Sequence, residues 1–276
     1  MLAIIDIGSN SVRLRMPDGQ KTVITTQLGE GLAATGLLQP VPVARTLDAI
    51  KQLLQVAQNA GCTVEAFATE AVRSAQNGQD FVRAVADLGV PVRVLTGTEE
   101  ALCGYLGATG GKGGVVMDVG GASTEIVWGR GGEVEFSVSL PIGIVRAKDR
   151  FGTDYAALKQ HVKQLLQSAK VQGKSKEVIG IGGTAISAAA VDSGLAYDRK
   201  NTDGRRISLD ALCAQHARLA AMTDEQRQNV PGLALSRVGT ICGGLVIITT
   251  VMEHLGADVM VASEDDNMEG YLVMNK

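Results

Sequence analysis

Two segments of the chain place residues suited to phosphate at the end of an apolar run. In Asp6-Ile7-Gly8-Ser9-Asn10-Ser11 and in Asp118-Val119-Gly120-Gly121-Ala122-Ser123-Thr124, an aspartate precedes glycine and then hydroxyl or amide side chains. Glycines in such a turn let backbone N–H groups point inward as an anion-binding nest, and Ser9, Asn10, Ser11, Ser123 and Thr124 add donors. Asp6 and Asp118 could hold Mg²⁺ directly or through water. The same residues would also satisfy an ordinary hairpin turn; two matching copies favour phosphate. A third segment, Ile181-Gly182-Gly183-Thr184-Ala185, leads from a strand into a helix. Its first N–H groups suit an anion, although paired glycines also serve close helix-on-sheet packing. Arg73 carries a planar fork that fits two phosphate oxygens, but exposure to solvent is the commoner fate of an arginine. Thr96 and Glu99 fit a capping box, which accounts for Glu99. Glu100, next along, either complements the helix dipole or acts as a general base on water.

The elements that position these residues come in two copies. Asp6 and Asp118 stand 112 positions apart, and the same offset carries Pro17-Asp18-Gly19 onto Gly129-Arg130-Gly131. It also carries Lys51-Gln52-Leu53-Leu54-Gln55 onto Lys163-Gln164-Leu165-Leu166-Gln167. Three matches in order at one offset indicate a duplicated unit. Each copy reads as a strand ending in Asp-x-Gly, two more strands joined by turns, a helix and a further strand. The helices carry Leu47, Ile50, Leu54 and Ala57 in one copy, and Leu158, Val162, Leu165 and Ala169 in the other. The closing strands are Val64–Ala68 and Glu177–Ile181. The expected fold class is α/β: two duplicated domains, each a mixed sheet covered by helices, facing an interdomain cleft. Both Asp-x-Gly turns should border that cleft, beyond the strand ends. The seam is expected in Gly110–Gly114, giving domains 1–112 and 113–276, with a last helix at about 267–276 packing back on the first.

Composition narrows the function. The 276 residues are 45% hydrophobic and 20% charged, as expected of a folded globular chain. A net charge of −3 supplies no basic field to attract DNA or a membrane surface. Four Phe, four Tyr and one Trp are too few for a base-stacking platform. Four dispersed cysteines and three histidines show no metal-ligand spacing, and a reducing cytoplasmic location is expected. The apolar stretch Ile241–Met252 is too short to span a bilayer.

Taken together, these segments resemble the exopolyphosphatase/guanosine pentaphosphate phosphatase (Ppx/GppA) family. The matching stretches are 5–14, 68–73, 97–101, 117–125, 140–145 and 180–184, in family order. The resemblance implies a duplicated ribonuclease-H-like, actin-like fold. It also implies metal-dependent removal of terminal phosphate from inorganic polyphosphate, or of the 5′ phosphate from guanosine pentaphosphate, and a link to the stringent response. By that resemblance Glu100 is the catalytic base, and Asp118, with Glu125 or Asp6, binds Mg²⁺, with Mn²⁺ as the alternative. Gly8, Ser9, Asn10, Ser11, Arg73, Gly120, Gly121, Ser123, Thr124, Gly182, Gly183 and Thr184 hold phosphate. The resemblance also allows a homodimer.

Two stretches depart from the family pattern. A segment that often ends Val-His-Gly reads Thr202-Asp203-Gly204, and Met268 replaces an expected basic residue in Ser263–Gly270. Both changes bear on polyanion affinity and substrate length. Two other readings remain open on the residues: an actin-like ATPase or small-molecule kinase, and a non-catalytic sensor of a phosphorylated alarmone.

Overall fold

The computed structural model describes residues 1–275. Contacts divide the chain into two compact units, residues 1–100 and the residues from Ala101 onward.

The first unit runs β1 (Leu2–Ile7), β2 (Ser11–Arg15), β3 (Lys21–Thr25), α1 (Leu32–Thr35), α2 (Pro40–Asn59), β4 (Thr63–Ala68), α3 (Glu70–Ser74), α4 (Gly78–Ala86) and β5 (Val92–Val94), and enters α5 (Gly97–Thr109). Its sheet has the order β3-β2-β1-β4-β5. β1 pairs antiparallel with β2 and parallel with β4, so it is central, and residues 3–7 are buried. That placement explains its nearly uninterrupted apolar sequence. α2 starts with proline in its first turn, where a missing N–H costs no hydrogen bond. It lays Ile50, Leu53, Leu54 and Ala57 into a core shared with Ile5, Ile7, Val12 and Leu14.

The second unit continues with β6 (Gly114–Val119), β7 (Thr124–Arg130), β8 (Glu133–Leu140), α6 (Ile144–Phe151), α7 (Tyr155–Ser168), β9 (Glu177–Ile181) and α8 (Gly182–Ser193). It ends with α9 (Arg199–Thr202), β10 (Arg206–Ser208), α10 (Leu209–Ala220), α11 (Asp224–Arg227), α12 (Ile241–Leu255), β11 (Val259–Ala262) and α13 (Asn267–Met274). The sheet order is β10-β11-β9-β6-β7-β8. Apart from the added edge strand β10, this repeats the first sheet, with β6, β7, β8, β9 and β11 in the places of β1 to β5. It is the duplicated mixed sheet that the repeat predicts, and the ribonuclease-H-like arrangement that the resemblance implies. Arg130 and Glu133 flank a two-residue hairpin turn in which Gly131 (φ 57°) and Gly132 (φ 86°) take the left-handed conformation such turns need. α7 buries Leu158, Val162 and Leu166; the expected Leu165 and Ala169 are only partly covered. The apolar stretch at 241–252 is α12, buried along most of its length. Among the described residues no helix is long and apolar enough to cross a membrane.

The division at residues 100 and 101 falls inside α5, ahead of the glycine run at 110–114. The reason is packing: Ala101 and Tyr105 belong to a core with Val116, Val127 and Ile181. α13 lies against the same stretch of α5. Side chains at Gly107 or Gly270 would overlap the backbone of Asp266 and Cys103 respectively. The last helix therefore packs on the part of α5 that belongs to the second unit.

Candidate active site

In the first unit, β1 turns back into β2 through Gly8-Ser9-Asn10, closed by the Gly8 N–H donating to the Ser11 carbonyl at 3.0 Å. The turn is braced from outside. The Asn10 carbonyl accepts from Thr26 N (3.0 Å) and Gln27 N (2.9 Å), and the Ser9 carbonyl accepts from Gly29 N (2.8 Å). Asn10 is 5% exposed, yet among the described residues neither polar atom of its side-chain amide has a hydrogen-bond partner, and the same holds for the hydroxyl of Thr26. Buried polar groups in that state lose hydrogen-bonding free energy unless a ligand or water meets them. Thr26 carries no motif and is visible only once the chain folds over the turn.

Glu100 sits in the first turn of α5, its N–H donating to the Thr96 carbonyl at 2.9 Å. The expected capping box is present: Glu99 N donates to Thr96 Oγ1 (3.2 Å), and Thr96 N donates to Glu99 Oε2 (2.8 Å). Glu99 is thus held at the helix end, while Glu100 is 6% exposed. Arg73, at the end of α3, is half-buried rather than on the surface. Its Nη1 donates to Glu100 Oε2 at 2.9 Å and to the Leu95 carbonyl at 2.6 Å, and its Nη2 donates to Glu70 Oε2 at 2.5 Å. The fork expected to face two phosphate oxygens faces two carboxylates here. Burial pushes the Glu100 carboxyl up to about 7; Arg73 opposes this, and the charges of Asp6 and Glu70 reinforce it. A buried carboxyl poised near neutrality can exchange a proton with water at physiological pH. Asp6 itself accepts from Arg13 Nε at 3.0 Å and pairs with Arg13 Nη2 on the same oxygen.

The second unit repeats the turn with the same dimensions: Gly120 N donates to the Ser123 carbonyl at 3.0 Å. Its carbonyls are tied to the start of α6, where Ile144 N donates to Gly120 O (2.9 Å) and Val145 N to Gly121 O (2.8 Å). Gly143 is required there, because a Cβ would lie 2.5 Å from the Gly120 carbonyl oxygen. Thr124 and Thr184, expected as phosphate donors, each commit the hydroxyl proton to backbone: Thr124 to the Ile142 carbonyl (2.5 Å) and Thr184 to the Val119 carbonyl (2.7 Å). In this arrangement they brace the loops. Gly121 and Ser123 are buried in the turn.

Gly182 opens α8 at φ 74°, and a Cβ there would stand 2.5 Å from Asp118 Oδ1. Asn267 Nδ2 lies 3.5 Å from Asp118 Oδ2. Asp118 and Glu125 are register partners on β6 and β7, and Glu125 accepts from Ser139 Oγ at 2.6 Å. Among the described residues no group of three His, Cys, Asp or Glu side chains is placed to hold a metal. Two carboxylates nevertheless suit Mg²⁺ or Mn²⁺, because Mg²⁺ keeps several waters and draws further oxygens from substrate phosphate. Arg237 is a residue the motifs missed. Its guanidinium lies against Gly183 so closely that a side chain there would overlap it, which sets a cation at the N-terminal end of α8. Asn267 was missed as well, since it belongs to the segment that departs from the family pattern.

A model of the Ppx/GppA phosphatase family matches residues 7–275. Exopolyphosphatase 2 of Mycobacterium tuberculosis is 29% identical over 297 residues, covering 98% of this chain and 92% of that protein. Among solved structures, an exopolyphosphatase-like protein superposes with a TM-score of 0.92 at 26% identity, over 99% of this chain and 97% of the other. The Aquifex aeolicus member of the Ppx/GppA family superposes with a TM-score of 0.78 at 28% identity, over 99% and 96% of the two chains.

Proposed function

The chain belongs to the Ppx/GppA phosphatase family, and from that premise we propose that it removes the terminal phosphate of inorganic polyphosphate by hydrolysis. It is a hydrolase of phosphoanhydride bonds. The observation that carries the reading is the buried Glu100, held by Arg73 and pushed up to about 7. Glu100 takes a proton from the attacking water as its oxygen forms a bond to the terminal phosphorus. The bridging P–O bond breaks, and orthophosphate and a chain shorter by one unit leave. Phosphoryl transfer asks the protein mainly for positioning and charge stabilisation. Arg73 orients the Glu100 carboxylate toward water, and the N–H groups and side chains of the 8–11 and 120–123 turns provide donors for phosphoryl oxygens. The orphaned amide of Asn10 supports a ligand at the first turn. Asp118 and Glu125 are the residues proposed to hold Mg²⁺ or Mn²⁺, which when bound offsets negative charge on the phosphate.

The test is phosphate release from short polyphosphate, long polyphosphate, guanosine pentaphosphate and ATP, in Mg²⁺ or Mn²⁺. Release from polyphosphate above that from the nucleotides is the expected result. Faster release from guanosine pentaphosphate would move the substrate to the alarmone; release from ATP alone would overturn the reading in favour of an ATPase. Binding of polyphosphate with no release in either metal would leave a sensor.

A further inference from the structure

We propose that Glu70 is a positioning residue for the hydrolysis: acting through Arg73, it divides one guanidinium between two carboxylates and so keeps Glu100 both oriented and basic. The inference rests on the proposed function for the role of Glu100 as the base. Glu70 opens α3 and Arg73 follows three positions later, so the two side chains share one face of the helix. Glu70 Oε2 accepts from Arg73 Nη2 at 2.5 Å. Arg73 Nη1 donates to the Leu95 carbonyl at 2.6 Å and to Glu100 Oε2 at 2.9 Å. A guanidinium is a rigid plane, so fixing Nη2 on Glu70 and Nη1 on Leu95 sets the direction from which Glu100 is met.

The division matters because an arginine can instead place both arms on one carboxylate, and that fork is the stronger pairing. A carboxylate gripped in that way holds its charge firmly and takes up a proton poorly. Here Glu100 receives Nη1 through Oε2, while Nη2 is occupied by Glu70. The Glu70 side chain is 19% exposed, so solvent screens its charge only in part. Glu100 is faced by Arg73 and Glu70 from α3 and by Asp6 from β1; Glu99 beside it is engaged by Thr96 and Arg93. Burial raises the Glu100 pKa most, Arg73 lowers it, and the charges of Asp6 and Glu70 raise it. Asp6 pairs with Arg13, whereas Glu70 is the carboxylate that shares the cation of Glu100. A carboxylate in the first turn of α3 also suits the helix dipole, but that role needs no contact with Nη2.

The test is the pH profile of kcat and kcat/KM for phosphate release from polyphosphate by the full chain. Wild type, Glu70→Gln and Glu70→Ala are compared, with circular dichroism as the check on folding. Glu70→Gln keeps an oxygen for Nη2 and removes the charge. Its rise in kcat/KM should move to lower pH, so that the ratio of values at about pH 6 and about pH 8 grows at least ~2-fold over wild type. Glu70→Ala frees Nη2 as well, and its plateau kcat should fall at least ~10-fold, as for a base held out of line. Because Glu70 acts through Arg73, the same change in the Arg73→Met background should alter kcat by less than about threefold. A Glu70→Gln profile superposed on that of wild type, or a Glu70→Ala loss of equal factor with and without Arg73, would overturn the inference. A wild-type profile with no rise at about pH 7 would instead remove Glu100 as the base, the premise taken from the proposed function.

Discussion

At the scale of single residues, the proposed chemistry rests on a carboxyl whose protonation is set mainly by burial. Glu100 must be ionised to accept a proton, and burial with the nearby Asp6 and Glu70 charges raises its pKa to about 7. For hydrolysis of polyphosphate, kcat/KM should therefore climb about tenfold per pH unit below about 7 and level off above it. Arg73 favours the ionised form, so Arg73→Met should move that rise to higher pH; a profile flat from about pH 5 to 8 would contradict the assignment. The pairing itself was beyond sequence reading. Arg73 and Glu100 lie 27 positions apart, and nothing in either motif fixes which carboxylates the guanidinium meets. The capping box at Thr96 and Glu99 was legible because both partners lie within one helical turn. The partners of Thr124 and Thr184 were not legible for the opposite reason: their hydroxyls lie in phosphate-loop sequences and donate to carbonyls brought close by tertiary packing.

At the scale of elements, the two Asp-x-Gly hairpins were readable in detail, since a turn is specified by its own few residues. The closing hydrogen bonds at Gly8 and Gly120 have the same length, 3.0 Å. What holds each turn from outside was not readable: the 26–29 segment in one unit, the start of α6 in the other. The second brace makes a steric prediction. Gly143 has an ordinary extended backbone, φ −140°, so Gly143→Ala costs nothing in conformation, yet its methyl would press on the Gly120 and Gly121 carbonyls at 2.5 and 2.6 Å. Overpacking of this kind costs about 1–3 kcal/mol. Urea unfolding should show that loss, and phosphate release should fall further than stability explains, because the displaced group is the turn. Wild-type stability and activity in Gly143→Ala would show that α6 does not position the turn.

At the scale of the whole molecule, duplication was the strongest signal in the sequence, because strands in two sheets of like order must carry like patterns. The boundary was less legible. α5 begins in the first unit and is cored with Val116, Val127 and Ile181 in the second, so the glycine run at 110–114 marks the start of the repeated strand rather than the limit of a compact unit. The proposed reaction assigns Glu100 and Asp118 to one step. Residues that serve one step lose little more together than the worse of them loses alone. The double variant Glu100→Gln with Asp118→Asn should accordingly release phosphate at a rate within about tenfold of the slower single variant. Fully multiplicative losses would mean that the two residues act independently.

The most direct measurement of the central claim is steady-state phosphate release from polyphosphate by Glu100→Gln, alongside polyphosphate binding to the same variant. The amide keeps the shape of the side chain but cannot accept the proton of water, so kcat should drop at least ~100-fold while binding stays close to wild type. Turnover near the wild-type rate in that variant would remove Glu100 from the chemistry and the account with it.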